Sequence, residues 1–106
     1  MKFENQTLQE IINLGHQVLP ANGKLWLYGS RARGDNRVDS DWDLLIILDK
    51  QKEEFSDFDN YSYPFISLGV ALGEIISAHI YTSKQWKEMS FTPFYKNVER
   101  DRTILV

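Results

Sequence analysis

Two short polar clusters in the first half of the chain contain groups that could bind a phosphate and a metal ion. The first is Gly29-Ser30, which continues as Arg31-Ala32-Arg33-Gly34. An apolar run over 25–28 precedes it, which predicts a strand that enters a glycine turn and then a short helix, capped by Ser30 and closed by Gly34. The free backbone N–H groups of such a turn, together with the helix dipole, favour a bound phosphate.

The second cluster is Ser40-Asp41-Trp42-Asp43. Asp41 and Asp43 are two residues apart, so on a strand both carboxylates leave the same face, and Trp42 points into packing on the other. Two adjacent carboxylates repel each other, and their hard oxygens suit Mg²⁺, which commonly bridges carboxylates and nucleotide phosphates. A phosphate turn near paired aspartates predicts metal-assisted phosphoryl or nucleotidyl transfer.

Taken together, the two clusters resemble a known motif. Gly29-Ser30, Arg33-Gly34, Ser40-Asp41 and Asp43-Leu44 fit the pattern G-S-x-x-R-G followed by S-D-x-D-[LIV], with six residues between Gly34 and Asp41. The chain therefore resembles the minimal nucleotidyltransferases (MNT) of the DNA polymerase beta-like nucleotidyltransferase superfamily. The resemblance covers most of the chain and implies the nucleotidyltransferase fold.

The resemblance also implies roles for these residues. Asp41 and Asp43 would be the catalytic aspartates that hold Mg²⁺, while Gly29 and Ser30 would bind the phosphates of ATP or another nucleoside triphosphate. Arg33 has two interpretations: it braces the loop by pairing with an aspartate, or it contacts the nucleotide. The implied reaction transfers a nucleoside monophosphate, AMP from ATP, to a hydroxyl acceptor, and pyrophosphate leaves.

A third carboxylate, which the resemblance implies on a later strand, is not evident. Glu74 stands at the start of the predicted strand, and alternation places it on the face opposite Ser77 and His79. We therefore expect Mg-nucleotide binding with weak or absent transfer, with His79 either a half-buried hydrogen-bonded residue or a base or metal ligand. The alternative function is an antitoxin-type binding module that neutralises a helical HEPN toxin, with or without transfer of AMP to it.

Composition limits the class of protein. The 106 residues contain 12 Lys and Arg against 15 Asp and Glu, for a net charge of −3 and no cysteine. The length predicts a single domain over 1–106. The acidic balance gives no support for nucleic-acid binding, and no apolar stretch is long enough to span a membrane. The polar segment 1–6 lacks a signal sequence, so we expect a cytoplasmic protein.

The remaining pattern predicts an α/β (α+β) fold, a small mixed β-sheet with helices packed mainly on one face. A capping box at Thr7 should open a helix that ends before Pro20. Further strands are expected at Leu44–Leu48 and Ile75–Tyr81, and Ile104–Val106 should either add a last short strand or dock on the core. Helices are expected from Pro64 to Gly73, from Ser83, and from Thr92-Pro93 to about Arg100. The later aromatic residues are either core or a surface for a partner or a second copy; they are Trp86, Phe91, Phe94 and Tyr95.

Overall fold

The computed structural model describes residues 2–106, with side chains from residue 6 onward; Met1 of the polar first segment lies outside this range. The elements follow in the order α1 (Lys2–Val18), β1 (Lys24–Tyr28), α2 (Ser30–Arg33), β2 (Trp42–Leu48), a π-helical turn (Phe58–Ser62), α3 (Tyr63–Leu72), β3 (Ile76–Thr82), α4 (Ser83–Glu88), α5 (Pro93–Asp101) and β4 (Thr103–Ile104). The predicted mixed α/β fold is confirmed.

The four strands form one mixed sheet in the order β3-β2-β1-β4. β2 runs parallel to β3 and antiparallel to β1, and β1 is antiparallel to β4. β2 is therefore interior, and six of its seven residues are buried. This burial agrees with the nearly continuous apolar run that predicted a strand covered on both faces.

One face of the sheet packs against α1 and α3. Leu25, Leu44 and Ile46 are fully buried there, together with Ile11 of α1 and Phe65 of α3. Trp42 also lies on this face and is 3% exposed, as its alternation with the two aspartates predicted. These contacts fix β2 against the helices and leave Asp43 on the opposite face.

The opposite face is covered over part of its area by α4 and α5. Trp26, Leu45 and Ile47 pack there against Trp86 of α4 and Val98 of α5. Phe94 and Tyr95 pack against the same cluster, whereas Phe91 is 78% exposed. The later aromatic residues are expected from the sequence to be either core or a surface for a partner or a second copy. The structure places three of them in the core: Trp86, Phe94 and Tyr95.

Three predicted helix starts differ from the structure. α1 already begins at Lys2, so Thr7 lies inside the helix, where its side chain is buried and does not cap a helix end. Thr82, not Ser83, caps α4, through a reciprocal pair of hydrogen bonds with Gln85. Gly29, not Ser30, is the N-cap of α2. The caps at Thr92 and Gly73 are as predicted.

Candidate nucleotide and metal site

Gly29 of the Gly29-Ser30 turn lies against the carboxylate of Asp43. In the antiparallel register Tyr28 lies opposite Asp43, so the end of β1 delivers Gly29 to the start of β2. Gly29 has a φ of 74°, which L side chains rarely adopt, and a Cβ at this position would collide with Asp43 Oδ2. The turn thus needs glycine both for its backbone conformation and for the space that the carboxylate fills.

α2 closes over this turn as a single helical turn. The N–H groups of Ala32 and Arg33 both donate to the Gly29 carbonyl at 3.1 Å. Gly34 ends the helix in the left-handed conformation with a φ of 83°, as predicted, and its N–H donates to the Ser30 carbonyl at 2.9 Å. Ser30 is the first helical residue and lies beside Gly29 at the end of β1.

Asp41 and Asp43 lie at the start of β2 with different exposure. Asp41 is exposed and directly precedes the strand, whereas Asp43 is half-buried inside it. Burial raises the pKa of the Asp43 carboxyl, the Asp41 carboxylate raises it further, and His79 and Arg33 offset part of the increase. The negative charge of Asp41 therefore acts on the Asp43 carboxyl.

A divalent cation fits this pair. Asp41 and Asp43 offer hard oxygen ligands whose negative charge His79 and Arg33 offset only in part, and Mg²⁺ would neutralise the remainder. Among residues 6–106, no group of three His, Asp or Glu side chains is arranged to hold a metal ion. Asp41 and Asp43 could therefore supply two ligands, and the other oxygens would come from phosphate and water.

The strand next to Asp43 carries no acid at the matching position. Asp43 lies opposite Ser77 in the parallel register, and Leu45 lies opposite His79. Ser77 and His79 therefore share the face of Asp43. Glu74 precedes β3 and donates its N–H to the Gly69 carbonyl at 2.8 Å, so it belongs to the turn after α3.

Arg33 forms ion pairs with two aspartates. Its Nε lies 3.1 Å from Asp35 Oδ2, and its Nη1 lies 3.8 Å from Asp101 Oδ2 at the end of α5. The guanidinium still lowers the pKa of Asp43, so its charge reaches the site. This arrangement agrees with the interpretation of Arg33 as a brace.

Arg31 has a positioning role that the sequence did not predict. Its Nη2 donates to the carbonyls of Ser40 at 2.8 Å and Val38 at 3.2 Å, and its Nε donates to Ser40 at 3.0 Å. The guanidinium also stacks 4.2 Å from the centre of the Trp42 ring. Arg31 thereby ties α2 to the loop that ends at Asp41, and two of its partners are backbone carbonyls, which leave no signal in the sequence.

Tyr28 is a second neighbour of the site. Burial, with smaller contributions from Asp43 and Tyr81, raises the pKa of its phenol to about 12. Its ring meets Phe94 of α5 edge-on, with centroids 5.6 Å apart. Tyr28 thus pairs with Asp43 in the sheet and also packs against the aromatic cluster of α4 and α5.

Comparisons with known proteins agree with this geometry. The nucleotidyltransferase domain family model matches residues 8–106. A crystal structure of a toxin-antitoxin with AMP-PNP has the same fold, with a TM-score of 0.63 and 17% identity over 93% of this chain and 72% of that chain. No curated protein matches the chain significantly. The match over nearly the whole chain confirms the predicted resemblance, and the chain belongs to the nucleotidyltransferase domain family.

Proposed function

We propose that this chain binds a nucleoside triphosphate with Mg²⁺ and transfers a nucleoside monophosphate, AMP from ATP, to a hydroxyl acceptor. The observation that carries the proposal is the contact between Gly29 and the Asp43 carboxylate. It joins the phosphate turn and the metal ligand into one site. Family membership supports the same reaction.

The protein's own contribution would be positioning and charge. Asp41 and Asp43 would hold Mg²⁺, which when bound neutralises phosphate charge and acts as a Lewis acid. Gly29 and Ser30 would orient the phosphates, and Arg33 would add positive charge beside them. Arg31 would keep Asp41 in place by holding its loop. Holding the reacting groups in line in this way lowers the entropic cost of the displacement.

A second candidate function is binding without efficient transfer, as an antitoxin-type module. Ser77 opposite Asp43 favours it, because the residues described on β3 supply no third carboxylate to activate a hydroxyl. A structural neighbour is a toxin-antitoxin complex with AMP-PNP, which supports a partner protein as the target. The proposed partner is a helical HEPN protein in the cytoplasm, with a second copy of this chain as the alternative.

Incubation with labelled ATP and Mg²⁺, with and without the product of the adjacent gene, separates the two functions. Transfer should be abolished by Asp41→Asn with Asp43→Asn, whereas a pure binding module should still neutralise its partner. Asp39→Asn is the matched control, since Asp39 is an exposed acid in the same loop that lies outside the strand. Robust transfer that Glu74→Gln abolishes would overturn the second candidate function, because Glu74 would then act as the third carboxylate.

Nucleotide binding can be tested without an acceptor. Mg-ATP at about 100 times its dissociation constant should stabilise the fold by roughly 2.7 kcal/mol, measured as a rise in Tm. The rise should disappear in the Asp41→Asn, Asp43→Asn variant and persist in Asp39→Asn. An unchanged Tm with Mg-ATP would mean that the motif no longer binds nucleotide.

A further inference from the structure

A cavity of about 510 Å³ lies at the far end of the β1–β2 pair from Asp43. Lys24 and Ile47 face each other there, four residues along the strands from the Tyr28–Asp43 pair. At the usual rise of a strand this separation is roughly 13 Å. Since neither Asp41, Asp43 nor Ser30 lines the cavity, it is distinct from the candidate nucleotide site.

Arg102 lies in the wall of this cavity between an aromatic ring and a carboxylate. Its guanidinium carbon lies 4.3 Å from the centre of the Trp26 ring, and its Nε lies 3.3 Å from Glu99 Oε1. Glu99 Oε2 in turn accepts a hydrogen bond of 2.8 Å from Trp86 Nε1. Arg102 Nε is buried and forms no hydrogen bond, so its contact with Glu99 is ionic. The chain of contacts from Trp86 to Trp26 fixes the orientation of the guanidinium before any ligand arrives.

The charge of the cavity is opposite to that of the whole molecule. Lys24, Lys87 and Arg102 line it against the carboxylate of Glu99, on a chain whose net charge is −3. The Glu99 charge is already balanced in part by Arg102 and by the indole N–H of Trp86. The exposed ammonium groups of Lys24 and Lys87 remain, together with the planar fork of Arg102, which suits an anion with several oxygens.

We propose that this cavity binds a small phosphate-bearing molecule, with its phosphate held by Lys24, Lys87 and Arg102. A phosphate matches the cavity better than a carboxylate, because it can accept bonds from all three cations at once. The cavity, at about 510 Å³, is large enough for a ligand that carries a second phosphate. The acidic surface of the rest of the chain disfavours an extended nucleic-acid backbone, whose recognition needs a basic stripe.

The three tryptophans allow the site to be tested directly. Trp26 and Trp86 line the cavity, whereas Trp42 lies on the other sheet face, so their indole N–H signals in a ¹⁵N-correlated NMR spectrum report separately. Titration of the full chain with inorganic pyrophosphate, without Mg²⁺ and at low salt, should shift the Trp26 and Trp86 signals and leave Trp42 unchanged. Shifts restricted to Gly29 and Ser30 amides, or no shift at millimolar pyrophosphate, would refute the proposal.

Substitutions of the lining residues then test whether the changes in the Trp26 and Trp86 signals come from binding in the cavity. Arg102→Gln should weaken pyrophosphate binding about tenfold or more, because it removes a charge-assisted contact. The double substitution Lys24→Gln, Lys87→Gln should also weaken pyrophosphate binding. Because it keeps the Arg102–Trp26 stack, it remains informative if Arg102→Gln disturbs folding. Lys84→Gln is the matched control on α4, since Lys84 is exposed and does not line the cavity. Unchanged affinity in the double variant would overturn the assignment. Since no Mg²⁺ and no ATP are present, the result is independent of the proposed nucleotidyl transfer.

Discussion

Gly29 and Asp43 depend on each other at the level of single atoms. The glycine has no side chain where the carboxylate lies, and its φ of 74° turns the chain toward that carboxylate. Any side chain at position 29 therefore both strains the backbone and displaces a proposed metal ligand. Gly34 differs, because its φ of 83° is also left-handed but no atom lies within 4 Å of the Cβ it lacks.

Gly29→Ala and Gly34→Ala should therefore have different effects. Backbone strain alone should cost roughly 1–3 kcal/mol in either variant, measured by urea unfolding. Gly29→Ala should in addition lose the rise in Tm with Mg-ATP, because Asp43 can no longer occupy its position. Gly34→Ala should retain that rise. Equal retention of Mg-ATP binding in both variants would show that the contact with Asp43 does not matter for the site.

The raised pKa of Asp43 predicts how the free energy of unfolding depends on pH. A carboxyl whose pKa is higher in the folded state binds more protons when folded, so stability falls as the pH rises from the ordinary carboxyl pKa through the raised one. Asp43→Asn removes this penalty and should be more stable than the parent protein at neutral pH. The difference should vanish at acid pH, where the Asp43 carboxyl is protonated in both states.

Mg²⁺ should neutralise the negative charge of the Asp43 carboxylate. Adding Mg²⁺ at neutral pH should raise the Tm of the parent protein and leave that of Asp43→Asn nearly unchanged. Thermal unfolding of both proteins across pH, with Mg²⁺ and with a chelator, measures both effects. A variant that is less stable than the parent at neutral pH would contradict the sign of the argument.

At the scale of elements, the site depends on how α2 and the loop over 35–41 are joined to the sheet. Arg31 makes this connection through two carbonyls and the face of Trp42. Arg33 connects the other side of α2 to Asp101 at the end of α5. A helix of one turn has little stability of its own, so these side chains position the site.

Arg31→Lys should loosen this connection. Lysine keeps the charge but loses the planar fork that reaches two carbonyls and stacks on Trp42. We expect a loss of roughly 1–2 kcal/mol in unfolding free energy and a weaker affinity for Mg-ATP, with faster amide hydrogen exchange over 37–41. Arg37→Lys is the control in the same loop, because Arg37 is exposed and donates its backbone N–H to Ser40 Oγ. Equal effects of both substitutions would rule out the specific role of Arg31.

The difference between Arg31 and Arg33 shows which parts of the site the sequence can predict. The strands and turn that bring Gly29 to Asp43 follow from alternation, glycine and the apolar run, and the structure agrees with them. Arg33 has an acid two residues away, so its ion pair could be anticipated. The partners of Arg31 are carbonyls of a loop, and those of Arg102 are aromatic and acidic groups brought together only by folding. Likewise, Thr7 looks like a cap locally, but α1 begins at Lys2 and Thr7 is buried within the helix.

At the scale of the whole molecule, two apolar clusters stabilise the sheet from opposite faces. The second, smaller cluster centres on Trp86, whose ring contacts Trp26, Tyr81, Phe94 and Tyr95. Trp86 is 6% exposed and its indole donates to Glu99. This cluster therefore attaches α4 and α5 to the same sheet face that carries Asp43.

Trp86→Ala should destabilise the protein strongly. Removing a buried tryptophan from a packed cluster typically costs about 3–5 kcal/mol, which is a large share of the stability of a small domain. Phe91→Ala is the matched control, since Phe91 is exposed and should change stability by less than about 0.5 kcal/mol. Urea unfolding measures both. A small effect of Trp86→Ala would mean that α4 and α5 are held by other contacts.

The aromatic rings beside Tyr28 also limit the direction from which an acceptor can reach Asp41 and Asp43. Phe94 of α5 meets Tyr28 edge-on and covers the sheet face on that side of Asp43. On the other side of Asp43 the same face carries Ser77 and His79. These rings occupy the side of Asp43 that faces α5. We therefore expect an acceptor hydroxyl to reach Asp43 from the side of Ser77 and His79 on β3.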